Sequence, residues 1–135
     1  MKRLLLMYQI AVACSDTLTG AGLMIVPQFT LGMMGISVAP ETDVLMGYIG
    51  SFVFGVGLLC ACGVPILLRK GSRDRMEMLW LATAILRSSV AVYVAVQVFT
   101  AHLSAPWLQI AAFDAVCAGV QGIGLRRRWL SHVTC

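Results

Sequence analysis

Charge is scarce in this sequence. Asp, Glu, Lys and Arg together make up 12% of 135 residues, about half the share of a soluble domain. That is too little to cover the surface of one. Histidine occurs only at 102 and 132, outside every long apolar run, so a pair of membrane-embedded histidines that could hold a haem is excluded. The five cysteines form no C-x-x-C pair, and neither a zinc site nor a disulfide framework is signalled. No phosphate-binding loop, G-x-S-x-G or H-E-x-x-H occurs. Nucleotide, flavin and zinc chemistry therefore have no support in the sequence. No catalytic motif is present, and enzymatic activity is not expected of this chain by itself.

Apolar residues are abundant. They make up 59% of the chain, and the mean hydropathy is +0.87. Residues 4–26, 44–68, 78–100 and 107–125 form four apolar stretches, each near the roughly 20 residues that cross a hydrocarbon core. The expected fold is all-α, an integral membrane four-helix bundle, with 1–135 as a single membrane domain and 27–43 as a short outer segment. Pro27 should end the first helix. The following "QFTLGMMGI" fits a short helical cap, a re-entrant piece or a packed loop.

The basic residues set an orientation. Lys2 and Arg3 precede the first span, Arg69, Lys70, Arg73 and Arg75 join the second to the third, and Arg126–Arg128 follow the fourth. Every Lys and Arg except Arg87 thus falls on one side, which the positive-inside rule makes cytoplasmic. Both termini are expected there, in a multi-pass protein of the plasma membrane. Nucleic acid is not expected as a partner; membrane lipid is. The start, "MKRLLLMYQIAVAC", has the look of a secretory signal. Retention is expected, because the apolar run continues past Asp16 through "LTGAGLMIV" and Ala11 stands where a lipoprotein box takes leucine.

Three charges lie inside spans: Asp16, Arg87 and Asp114. A lone charge at mid-bilayer costs about 2.5–3.5 kcal/mol even on the gentlest scale. Counted from the cytoplasmic ends, Asp16 is about 18 Å deep, Arg87 about 13 Å and Asp114 about 16 Å. The economical expectation is a buried cluster in which Arg87, whose fork can bond two carboxylates, bridges one or both aspartates. It would act as a register clamp or as a proton- or ligand-handling site. Ser15, Thr19, Ser88 and Gln121 are candidate polar lining, with Gln121 seven residues beyond Asp114 and so on the same helix face. Gly47, Ser51 and Gly55, and Ala111, Ala115 and Gly119, recur at i, i+4, i+8. Such small-residue faces let helices pack closely or dock onto another subunit. No group of residues points to a metal.

The proline-led "QFTLGMMGI", the "GYIGSFVFGVGLL" second span, Arg87 in the third and "AAFDAVCAGVQGIGL" in the fourth together resemble the DoxX-like group of small bacterial four-helix membrane proteins. The resemblance implies an inner-membrane subunit or accessory, in some members linked to quinone-dependent sulfur oxidation or to redox partners. Quinone is the one cofactor it brings in, and it carries over no catalytic residue. Three functions follow as expectations. The first is an accessory or anchoring subunit of a larger, redox-linked complex. The second is a small homo-oligomeric proton-coupled transporter or channel. The third is a quinone-interacting subunit with the buried acid as proton relay.

Overall fold

The computed structural model describes residues 2–69 and 72–132; Lys70 lies outside them. Among the described residues there are helices and no strand. The order is α1 (Lys2–Ile25), α2 (Pro27–Met33), α3 (Asp43–Leu68), α4 (Arg73–Phe99) and α5 (Leu108–Arg126), with 3₁₀ turns at Pro40–Thr42, Ala105–Trp107 and Trp129–His132. All but α2 are long and apolar enough to cross a membrane. At the α-helical rise they measure roughly 28 to 40 Å, against a hydrocarbon core of about 30 Å. Where one domain is expected, the chain divides into two compact units, Met1–Leu68 and Arg69–Cys135. Each is built on one pair of long helices.

In the first unit α1 and α3 run antiparallel with their backbones in close approach. A Cβ added at Gly50 would lie 2.8 Å from the Gly20 carbonyl oxygen and 2.7 Å from Leu23 Cβ. One at Gly57 would lie 2.5 Å from the Thr17 amide nitrogen. Glycine is required at these crossings because no side chain fits between the helices. Buried Gln9 donates from Nε2 to the Cys60 carbonyl at 2.7 Å. Pro65 lies inside α3 and, having no N–H, takes away the donor that would bond a carbonyl of the preceding turn.

The segment between α1 and α3 is ordered by chain chemistry. Val26 leaves the helical region (φ −138°, ψ 63°) and Pro27 starts α2, where its missing N–H costs nothing. The end of α2 is a Schellman turn. Gly35 takes φ +69°, the Ile36 N–H reaches the Leu31 carbonyl at 2.9 Å, and the Gly35 N–H reaches Gly32 at 3.0 Å. Leu31 and Ile36, the apolar pair that accompanies this motif, are both buried. Of the forms open to "QFTLGMMGI", the structure takes a two-turn helix closed by its glycine. Gln28 Nε2 donates to Asp43 Oδ1 at 2.5 Å, tying α2 to the start of α3.

In the second unit α4 and α5 are antiparallel. Trp80, fully buried, fills the space beside Gly124, where a Cβ would collide with the indole. A glycine on the facing helix makes room for the indole. The connection again begins with a Schellman turn. The His102 N–H bonds the Gln97 carbonyl at 2.9 Å and the Ala101 N–H bonds Val98 at 3.0 Å. Here alanine, at φ 61°, occupies the left-handed position.

Candidate functional site

The buried stripe of α4 is Met76, Trp80, Thr83, Arg87, Ala91 and Val94. That of α5 is Ala111, Cys117, Gln121 and Gly124, with Asp114 partly buried among them. Both follow the three-and-four spacing of a helix seam. Arg87 and Asp114 therefore point into the seam because of their register, Arg87 between Thr83 and Ala91 and Asp114 between Ala111 and Cys117. Arg87 Nη1 donates to Asp114 Oδ1 at 2.5 Å, with the side chains 4% and 13% exposed. The Phe113 ring lies 5.5 Å from the guanidinium carbon, close enough for its electron-rich face to attract the cation. Along their own helices Arg87 is about 21 Å from Arg73 and Asp114 about 18 Å from Arg126. The pair is thus level and deep in the apolar span.

One turn nearer the basic end is a neutral layer. Gln121 Nε2 donates to Thr83 Oγ1 at 3.0 Å, and the Thr83 hydroxyl proton goes to the Leu79 carbonyl at 2.8 Å. Since the hydroxyl has one proton and it is committed, Gln121 must be the donor. Its Oε1 is buried and has no hydrogen-bond partner among the described residues. Chemically, Arg87 and Asp114 pair opposite charges across the seam, with an amide–hydroxyl bond alongside. This arrangement fixes the register of two helices: a shift of one residue on either helix would leave a charge unmatched.

In the first unit Asp16 is buried on α1, seven residues and hence two turns beyond Gln9 on the same face. Ser15 and Thr19 flank it and are half-buried. Gln9 and Thr83 were not among the residues expected at the site. The signal existed for Gln9, which stands seven residues from Asp16 just as Gln121 does from Asp114. Thr83 is four residues from Arg87.

Most of the remaining candidates lie off the seam. Ser88 is exposed, because a residue directly after Arg87 is turned about 100° from it. It borders an outward-opening groove with Ser89, Val92, Tyr93 and Val96. Ser51 is exposed and bonds its own helix at the Tyr48 carbonyl, 2.7 Å away. Gly55 and Gly119 have nothing within 4 Å of an added Cβ, and Gly47 has contacts only at 3.9 Å. Ala115 and Gly119 are exposed, while Ala111 alone of its series is buried. The physical reason is drift. Steps of four advance about 40° around a helix each time, so an i, i+4, i+8 series leaves the seam that Gly20, Gly50 and Gly57 occupy.

Among the described residues no three His, Cys, Asp or Glu side chains are grouped to hold a metal ion. Cys14 and Cys62 are exposed free thiols. Compared with known protein families, characterised proteins and solved structures, the chain matches none.

Proposed function

We propose that this chain is a multi-pass membrane protein, with both termini in the cytoplasm, that serves as an accessory or anchoring subunit of a larger membrane complex. In the first unit Lys2, Arg3 and Arg69 stand at one end of the helix pair; in the second, Arg73, Arg75 and Arg126–Arg128 do the same. That distribution supports the orientation. One observation carries the subunit reading: the small residues Ser51, Ala115 and Gly119 face outward, while Arg87 and Asp114 pair across the seam of α4 and α5. A clamp of this kind stabilises a scaffold, and small exposed residues allow another helix to approach. The resemblance to DoxX-like proteins favours a redox-linked complex and an inner-membrane location.

The test is gentle detergent extraction followed by native mass spectrometry. Foreign subunits in fixed ratio are the expected outcome. A clean homo-oligomer would refute this reading and favour the proton-coupled transporter, for which buried Asp16 is the specific support. Flux in vesicles that disappears in Asp16→Asn would then identify it.

A further inference from the structure

The second unit ends in a built surface. α5 stops at Arg126. The Arg127 N–H still bonds the Ile123 carbonyl at 2.8 Å, and Arg128 turns the chain at φ 54°, a region that residues with side chains seldom adopt. The turn is then closed twice on one acceptor: the Ser131 N–H and hydroxyl reach the Arg128 carbonyl at 3.0 and 2.6 Å. Leu130 is fully buried, and the turn packs on both α4 and α5. The half-buried Trp129 lies beside Gly124, where an added Cβ would come 3.0 Å from Trp129 Cε3. Arg126, Arg127 and Arg128 are all exposed. Because α4 and α5 are antiparallel, exposed Arg75 rises from the first turn of α4 at the same end. Glu77, on the same helix, is engaged by Arg73 at 2.6 Å.

We propose that this arginine-lined turn is a binding surface for the phosphate headgroup of an anionic phospholipid. Orientation in the membrane needs only positive charge, and lysine serves it equally. Orientation also needs no fixed geometry. Here every described cation of the surface is arginine, whose planar fork pairs two phosphate oxygens at once, and three of the four are held by a bonded turn with a buried anchor. Trp129 places the surface at headgroup depth, where indole rings collect. A phosphate carried by a lipid, with its acyl chains along the apolar helix faces, fits that depth. The surface requires only that the helices span a bilayer, and it stands apart from the question of partner subunits.

The test uses the full chain in mild detergent, mixed with equal amounts of phosphatidylglycerol and phosphatidylcholine, and reads retained lipid by native mass spectrometry. Preference for the anionic lipid by roughly tenfold or more is expected. The triple variant Arg126→Lys/Arg127→Lys/Arg128→Lys keeps the charge and should lose several-fold of that preference. Arg128→Gly should also lose part of it while easing the left-handed turn, so it guards against a result caused by misfolding. Equal retention of the two lipids by the wild type would overturn the proposal, as would an unchanged preference in the lysine variant. Displacement of the anionic lipid by excess inorganic phosphate would also overturn it, by assigning the surface to a soluble anion.

Discussion

Replacing Asp114 by leucine tests what the buried ion pair does. The substitution keeps the side-chain volume near the seam and removes the carboxylate bonded to the Arg87 guanidinium, which is 4% exposed. A charge left near mid-span costs about 2.5–3.5 kcal/mol, and breaking a buried pair in soluble proteins costs about 3–5 kcal/mol. A loss of about 3 kcal/mol is therefore expected for Asp114→Leu, measured by reversible unfolding in mixed micelles titrated with dodecyl sulfate and followed by far-UV circular dichroism. Arg87→Met should be similarly harmful. The double variant removes both charges and should cost less than either single change. This gives a coupling energy above about 2 kcal/mol, beyond the roughly 0.6–1.7 kcal/mol of a hydrogen bond between membrane helices. Additive losses, with coupling under about 0.5 kcal/mol, would refute the clamp and show that the two side chains act independently.

The glycine seam makes a paired prediction in the same assay. Gly50→Ala, whose Cβ would meet Gly20 and Leu23 at 2.7–2.8 Å, should lose about 1–3 kcal/mol from overpacking. Gly55→Ala, with nothing within 4 Å, should be neutral or gain up to about 1 kcal/mol in helix propensity. Ala101→Gly should raise stability by about 1 kcal/mol, because alanine occupies a left-handed Schellman position at φ 61° that glycine adopts without strain.

Much of this protein is legible without coordinates. The long uncharged runs, the breaker Pro27, and the grouping of cations outside the spans dictate four long apolar helices and propose an orientation, because a bilayer offers no water to unpaired backbone groups. The seven-residue interval from Asp114 to Gln121 was enough to place both on one face, since two helical turns nearly close on themselves. The i, i+4, i+8 small residues drift off the seam for the same geometric reason, and Gly20 with Gly50 and Gly57 hold the close approach of α1 and α3. Tertiary structure alone decided which helices pair. α1 packs with α3, and α4 with α5, as sequential antiparallel partners in separate compact units. It alone decided that Arg87 bonds Asp114, that Trp80 is buried beside Gly124, and that the arginines after α5 form a bonded turn. Composition and spacing determine what a helix can bury and on which face. Which partner meets that face depends on how closely two particular backbones can approach, and that is set by glycines and side-chain volumes on the other helix.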